Sequence, residues 1–372
     1  MELKRKLLVV TDSFIPKWDG ISRFLVDVLP SLANQFEVTL VCPKFKGEIK
    51  FDERIRIVRL PITRKNDSYH SKVKVKSLKG LVDWADVVFV NSLGKIGKSC
   101  INYTHKVKKP IIFYLHYFLW EMLSKNRFFG FFIKKYVLLR CKILFKKCSL
   151  LVVSSIHGAK KLDRLGIKIA KGVVKVGVDS EKFKPALNKE NAKEFVGIEK
   201  NRKVIGFVGR LSKEKDLMTL YNAFKKLEMK HNNLFLLVVG KGDRKLEKLF
   251  KSEDNCRLIK STNKIVNYLQ VMDIFVMPSL AETSSIATLE AMSCGLPVVV
   301  SKTGDMVRYI KDKENGLFFS KRNSLLLSLK IEWLLKEDFV RKGLGLHARE
   351  TVQNVFRKED MIKNIRRILG GV

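Results

Sequence analysis

Acidic residues are scarce in this chain. Of 372 residues only 37 are Asp or Glu, against 73 Lys or Arg, which leaves a formal charge of +36. One sign of charge on that scale implies a polyanionic neighbour: nucleic acid, an anionic membrane surface or a phosphorylated substrate. Proline is scarce too, at 8 residues, while hydrophobic residues reach 46%. Such a composition buries real cores and excludes general disorder. No C-x-x-C pair occurs among Cys42, Cys100, Cys141, Cys148, Cys256 and Cys294, most of which sit in apolar runs. No zinc or disulfide framework is legible, which points to a reducing cytoplasm. Long hydrophobic runs are also missing. The longest apolar stretches, 111–120 and 128–133, fall short of the roughly 18 residues a bilayer-spanning helix needs. An integral membrane protein is excluded; a peripheral one is not. Behind the basic Lys4-Arg5-Lys6 only Leu7-Leu8-Val9-Val10 are apolar, too few for the ~7–15 residues of a signal-peptide core. That segment reads as a first strand.

What is present is a rhythm. Short apolar runs at 7–10, 38–41, 55–58, 87–90, 111–115 and 150–153 alternate with helical patterns, and a second set follows at 204–208, 234–239, 256–259, 274–277 and 297–300. Near-continuous apolar strands separated by helices predict parallel α/β sheets covered on both faces. Residues 171–184, rich in Gly, Lys and Val and followed by Pro185, read as a hinge between two doubly wound halves. Residues 354–369 predict one basic helix. Two such halves facing one another leave a cleft at the carboxyl ends of their strands, where ligands of open α/β sheets bind.

Three strand-following loops carry chemistry. The first, residues 11–19, leads to Gly20 at the start of a helix, where free N–H groups suit a phosphate; a plain βα turn is the alternative. The second, Gly209-Arg210-Leu211-Ser212-Lys213-Glu214-Lys215, holds Arg210 and Lys215, which can grip a phosphate, with a solvated charged loop as the alternative. In the third, Glu282-Thr283-Ser284-Ser285 precedes a helix predicted over 286–294 and stopped by Gly295 and Pro297. Its N-terminus suits an anion. Glu290 lies roughly 9 Å along the axis from Ser284 at 1.5 Å per residue. Glu282 and Glu290 are too far apart to share a proton or a metal, but could hold two hydroxyl groups of one extended ligand. The bland reading makes them a loop residue and a solvated helix residue, yet Glu290 sits between Leu289 and Ala291, where an unpartnered carboxylate is costly.

Glu282 and Glu290 with the following Ala291-Met292-Ser293-Cys294-Gly295-Leu296-Pro297-Val298-Val299 resemble the E-x7-E signature and "EAMACGLPVV" run of the retaining, nucleotide-sugar-dependent glycosyltransferases of family four. Gly209-Arg210-Leu211 with Lys215 resembles that family's "GRL…KG" loop. Gly240-Lys241-Gly242-Asp243 resembles its "GxGP" turn, Asn315-Gly316-Leu317-Phe318 its "NGLLF", and Gly177-Val178-Asp179 with Phe183 and Pro185 its "NGVDxxxFxP". The resemblance spans nearly the whole chain and is strongest over 204–319. It implies the GT-B fold, two facing Rossmann-like domains with an interdomain cleft. The implied division is an acceptor- and membrane-binding domain at 1–178, a nucleotide-sugar domain at 179–350, and a helix at 351–372 packing back toward the first.

The resemblance also implies roles. Glu290 would bind the nucleotide ribose and Glu282 the donor sugar, with Thr283, Ser284 and Ser285 presenting N–H groups. Arg210 and Lys215 would neutralise the diphosphate beside Gly209. His116, after the strand at 111–115, matches the family's active-site histidine, although a lone histidine there is more often structural. Gly20 would let the first loop close. With no D-x-D in the sequence, no metal and no other cofactor are expected. Charge forming on the β-phosphate would meet Arg210, Lys215 and the helix dipole. Departures from the pattern make the donor sugar open. Lys175-Val176 replaces Pro-Asn, Asp19-Gly20 a Gly pair, Thr-Ser-Ser a Gly-Phe-Gly, and Gly304-Asp305 a Gly-Gly.

The charge concentrates in the first half. Between Val87 and Leu162 stand fifteen Lys or Arg and one acid, Glu121. Within that stretch, residues 124–148 interleave Lys125, Arg127, Lys134, Lys135, Lys142 and Lys146 with Phe128, Phe129 and other apolar residues. Basic plus aromatic suits an anionic membrane interface; a core helix with snorkelling lysines is the alternative. Lipid-glycosylating members, such as diacylglycerol glucosyltransferases and phosphatidylinositol mannosyltransferases, have a similar face, and Phe14-Ile15-Pro16 also resembles them. The reading is a transferase peripheral on the inner face of the cell membrane, moving a hexose from a nucleotide sugar to a lipid. A soluble transferase with a polysaccharide or small phosphorylated acceptor stays open. A nucleotide-sugar epimerase and a nucleic-acid-binding protein rank lower, and no nucleic-acid signature is legible. Oligomeric state is open.

Overall fold

A computed structural model of the chain describes residues 4–47, 50–64, 72–73, 78–121, 129–260 and 262–372. The chain forms two compact units, Met1–Lys175 with Glu359–Val372, and Val176–Lys358.

In the first unit β1 (Arg5–Val10), α1 (Gly20–Gln35), β2 (Phe36–Pro43) and β3 (Arg56–Leu60) are followed by a short pair, β4 (Ile62–Arg64) and β5 (Lys72–Val73). Then come α2 (Leu78–Trp84), β6 (Val87–Val90), α3 (Lys95–Lys106), β7 (Ile111–Leu115), α4 (Phe129–Phe145), β8 (Leu150–Val153), α5 (Ile156–Arg164) and β9 (Lys171–Val173). The sheet order is β3-β2-β1-β6-β7-β8-β9, and every pair is parallel. The apolar run of β1 explains its place at the centre. Alternate side chains point to opposite faces: Leu7 and Val9 join α1, whereas Leu8 and Val10 join α2 and α3.

The second unit runs α6 (Lys189–Phe195), β10 (Lys203–Val208), α7 (Leu217–Glu228), β11 (Leu234–Val239), α8 (Arg244–Lys251), β12 (Cys256–Ile259), α9 (Ile265–Gln270) and β13 (Ile274–Met277). It continues with α10 (Ile286–Ser293), β14 (Val298–Ser301), α11 (Met306–Tyr309), β15 (Leu317–Phe319), α12 (Ser324–Lys336) and α13 (Asp338–Val355), before α14 (Lys358–Gly370) rejoins the first unit. Its order, β12-β11-β10-β13-β14-β15, reverses between β10 and β13 as the first sheet reverses between β1 and β6. The last helix, α14, places Met361, Ile365 and Leu369 in the first unit's core beside α1.

Three expectations needed correction. The supposed hinge begins with a strand, β9, whose short Lys-Gly-Val carries no apolar run. Strand β15 was not foreseen for the same reason of length. The single helix expected at 354–369 is broken at Phe356-Arg357, because Val178 pairs with Arg357 in a parallel bridge and its N–H donates to the Phe356 carbonyl at 2.8 Å.

The amino edge of the second sheet is pinned by charge. Buried Asp273 receives Lys193 Nζ at 3.3 Å, Lys189 Nζ at 3.2 Å and the Val204 N–H at 2.8 Å. Burial alone would raise the Asp273 carboxyl; the two ammonium groups and the N–H outweigh it and hold it below the usual carboxylate range. Burial lowers Lys189 despite its partner. The carboxylate's shift carries the stability statement, since it answers two cations. Its contribution is present above the ordinary carboxylate pKa and lost as pH falls through the depressed folded value. Asp273→Asn, which leaves two lysines facing an amide, should cost about 3–5 kcal/mol, read as a lowered midpoint in urea unfolding at neutral pH.

Candidate active site

The reversal of strand order places the loops after β10 and β13 side by side, free of the helices that leave to opposite faces. The β10 loop is shaped by glycine. A Cβ on Gly240 would lie 1.8 Å from the Gly209 carbonyl oxygen, so the turns after β10 and β11 nest only because Gly240 has none. The Asp243 N–H donates to the Leu211 carbonyl at 2.7 Å across the same contact. Residues 213–215 form one 3-10 turn, ended by Asp216 in the left-handed region at φ 48°.

Both candidate cations of this loop meet carboxylates. Arg210 Nη2 stands 3.5 Å from Glu214 Oε1, and Lys215 Nζ is bonded to Glu282 Oε2 in the β13 loop. The Leu280 N–H donates to the Glu214 carbonyl at 2.7 Å, a second tie between the loops. Glu282 also accepts from the Thr283 N–H at 3.3 Å. Ser285, at φ 40°, opens α10. Glu290 lies inside that helix with 4% of its surface exposed, so the solvated-helix alternative is excluded. Thus Gly209, Arg210, Lys215, Glu282, Thr283, Ser284 and Ser285 gather at one sheet edge, with α10 and Glu290 leading away. At the far end of α10, Arg349 donates to the Phe183 carbonyl at 3.2 Å and to that of Ser293, a cation at a helix C-terminus.

In the first unit, His116 follows β7. Its ring stacks on Tyr114 at 4.4 Å and meets the Phe24 edge at 4.8 Å. Burial pushes its pKa down to about 3, so the imidazole is neutral. Nε2 lies 3.2 Å from Asn91 Oδ1, while Asn91 Nδ2 donates to the Phe89 carbonyl at 3.4 Å. With the amide so oriented, Nε2 carries the proton and Nδ1 is left as an acceptor. Gly20 is the first residue of α1, capped by Asp19, which accepts from the Ser22 N–H at 3.0 Å. Phe14 and Ile15 are buried in the core, Phe14 edge-on to Phe51 at 5.4 Å, so they give no lipid-facing surface. Two residues escaped the sequence reading. Asn91 is one. The other is Asp12, which accepts from Ser92 Oγ at 2.7 Å and from the Ile96 and Gly97 N–H groups at 2.9 and 3.3 Å, holding the start of α3. Their only signal was a polar residue directly after an apolar strand.

The basic segment forms α4, which Phe129 opens; Lys125, Arg127 and Phe128 lie outside the described residues. Cys141, Leu144 and Phe145 face the core. On the opposite side Phe132, Tyr136, Leu139 and Ile143 are 64%, 61%, 54% and 48% exposed, and at 100° per residue they fall within about 60° of arc. Lys135 and Lys142 flank this ridge on one side and Arg140 on the other, and exposed Lys146 directly follows the helix. Lys134 is half-buried and turned toward the core side of the wheel. Among the described residues no helix is long and apolar enough to cross a membrane.

The fold is of the GT-B type, and the chain is a glycosyltransferase by the family models that match it. The family model "Glycosyltransferase Family 4" matches residues 18–182 and "Glycosyl transferases group 1" matches 188–351, and the chain belongs to this family. It is 27% identical, over 97% of its length and 96% of the relative's, to the UDP-Gal:alpha-D-GlcNAc-diphosphoundecaprenol alpha-1,3-galactosyltransferase of Escherichia coli. It is 24% identical, over 86% of both chains, to the alpha-monoglucosyldiacylglycerol synthase of Acholeplasma laidlawii. Among solved structures, HepE of Anabaena in complex with UDP and glucose superposes with a TM-score of 0.78 at 16% identity, over 99% of this chain and 100% of that one.

The neutral histidine is directly testable. The His116 imidazole signal should stay flat between about pH 5 and 8 in proton NMR. Asn91→Asp places a carboxylate beside the ring, raises its pKa and should bring its titration into that window.

Proposed function

We propose that this glycosyltransferase moves a hexose, with retention of anomeric configuration, from a nucleotide-diphosphate sugar to a hydroxyl of a membrane lipid. The observation that carries the reading is the Lys215–Glu282 pair joining the β10 and β13 loops at the start of α10. A cation, a carboxylate able to bind a hydroxyl and the N-terminus of α10 there match a sugar diphosphate. Glu290 is assigned to the ribose, Glu282 to the sugar, and Arg210 and Lys215 to the diphosphate. As the bond from the anomeric carbon to the β-phosphate oxygen breaks, negative charge forms on that oxygen. Arg210, Lys215 and the α10 N-terminus stabilise it, and no metal is assigned to this step. The acceptor hydroxyl attacks from the departing side and gives its proton to the phosphate oxygen. Neutral His116, with its Nδ1 acceptor, is assigned to a donor-sugar hydroxyl.

A lipid acceptor is supported by two relatives whose names specify a diphosphoundecaprenol-linked sugar and a glucosyldiacylglycerol. It is also supported by α4, whose apolar ridge between cations suits an anionic bilayer surface on the inner face of the cell membrane.

Nucleotide release from a panel of nucleotide sugars, with and without anionic vesicles carrying lipid acceptors, tests the reaction. One sugar should give lipid-dependent release that survives a chelator. Lys215→Ala and Glu282→Ala should each lower kcat by about 100-fold or more. Release that needs only a water-soluble acceptor would overturn the lipid assignment. Separately, the protein should pellet with anionic vesicles at low salt and be released at high salt. Phe132→Asp with Leu139→Asp should abolish pelleting without changing thermal stability, since both side chains are already exposed; unchanged pelleting would exclude α4 as the contact.

A further inference from the structure

Two of this chain's departures from the family pattern, Thr283-Ser284-Ser285 and Gly304-Asp305, lie far apart in sequence and touch in the structure. The segments leaving β13 and β14 run together and are fastened rung by rung. Ser301 Oγ donates to the Ser279 carbonyl. Thr303 Oγ1 donates to the Leu280 carbonyl at 3.3 Å. The Asp305 N–H donates to the Thr283 carbonyl at 2.7 Å, Ser284 Oγ donates to Asp305 Oδ2 at 3.0 Å, and the Tyr309 hydroxyl donates to the Ser284 carbonyl at 3.1 Å. Gly304 makes the approach possible: at φ 58°, a Cβ on it would lie 2.2 Å from the Glu282 carbonyl oxygen.

The clasp has work to do at Ser285. That residue holds φ 40° directly before α10, a left-handed conformation a serine keeps only when its surroundings over-determine it. Glycine adopts it freely. Where the family pattern has Gly-Phe-Gly and Gly-Gly, this chain has Thr283-Ser284-Ser285 and Gly304-Asp305, and the Ser284–Asp305 bond is a rung that joins two departing side chains. We propose that Asp305 is a positioning residue for the donor: through Ser284 it fixes residues 283–285 in the arrangement that receives the nucleotide sugar. The inference rests on the donor-loop reading above. Asp305 touches the loop, not the reacting atoms. A loop held by a side-chain bond is also more rigid than a glycine loop, so the bond narrows the range of sugars accepted.

The test is a double-mutant cycle on the full chain, with donor KM and kcat measured separately and thermal unfolding run in parallel. Ser284→Ala and Asp305→Ala should each lower kcat/KM for the preferred donor by about tenfold, the scale of one charge-assisted hydrogen bond. The double variant should be no worse than the poorer single. Asp305→Asn keeps an acceptor for Ser284 and should restore most of the loss. Discrimination between donor sugars should fall in both alanine variants. Additive losses, an Asn variant as poor as the alanine one, or unchanged donor kinetics would overturn the proposal. Wild-type protein that releases nucleotide from no donor would overturn the donor-loop reading itself, and this inference with it.

Discussion

The tie between the loops after β10 and β13 is the constraint on which the second unit's chemistry depends. In a doubly wound sheet the neighbouring strands at the point of reversal send their helices to opposite faces, and the edge between them stays uncovered. Uncovered loops are ordinarily mobile. Here Lys215 and Glu282 bridge them, and a backbone bond from Leu280 to Glu214 reinforces the bridge. A largely buried cation is costly to leave bare, and pairing Lys215 with Glu282 keeps both groups in position. Glu214 does the same for Arg210. Glu214 thus lowers the net charge of its own loop.

The first unit meets the same geometric problem with a carboxylate, an amide and a neutral imidazole. At its point of reversal, between β1 and β6, Asp12 is spent on the start of α3 and Asn91 on His116. Asp12 satisfies N–H groups that no helical carbonyl reaches. Asn91 leaves an imidazole with one donor and one acceptor and no charge. A neutral histidine in a dry setting can hydrogen-bond a hydroxyl without adding charge beside a phosphate. The two sheet edges thus differ in kind: one pairs cations with carboxylates, the other sets a carboxylate on helix N–H groups and an amide on a neutral imidazole.

Much of this was legible in the sequence, for physical reasons. Buried parallel strands such as β1, β10 and β11 carry short continuous apolar runs, which is what the sequence displays. Strands β9 and β15, three residues each, carry too little pattern to register. The break between α13 and α14 is invisible locally because a tertiary bridge, Val178 to Arg357, makes it. At the site, Arg210, Lys215, Glu282 and Glu290 were legible from spacing and resemblance together, whereas their pairing was not. Glu214 looked like one more charge in a charged loop. The meaning of Asp305 needed the knowledge that the segments after β13 and β14 run side by side. Lys134 failed differently: composition marked the whole 124–148 segment as basic, but only the helix decides which lysine faces which way.

The excess of positive charge is the last link. Charge alone does not select among an acidic glycan, a nucleic acid and a membrane, since all three reward cations through the same released counterions and the same screened attraction. Apolar side chains do select. A nucleic-acid backbone offers nothing to a ridge of Phe132, Tyr136, Leu139 and Ile143, and a polysaccharide offers little, whereas a bilayer interface repays each exposed Å² of such a ridge by roughly 25 cal/mol. The ridge is also placed where it costs the fold least: α4 meets the core through Cys141, Leu144 and Phe145, so its outer side chains are free to serve a surface. On the proposed lipid-surface reading, the cations on both flanks add the attraction that salt removes, and the ridge adds an apolar share too small to hold the chain by itself. A helix carrying both terms holds a chain at a lipid surface more firmly than either would alone.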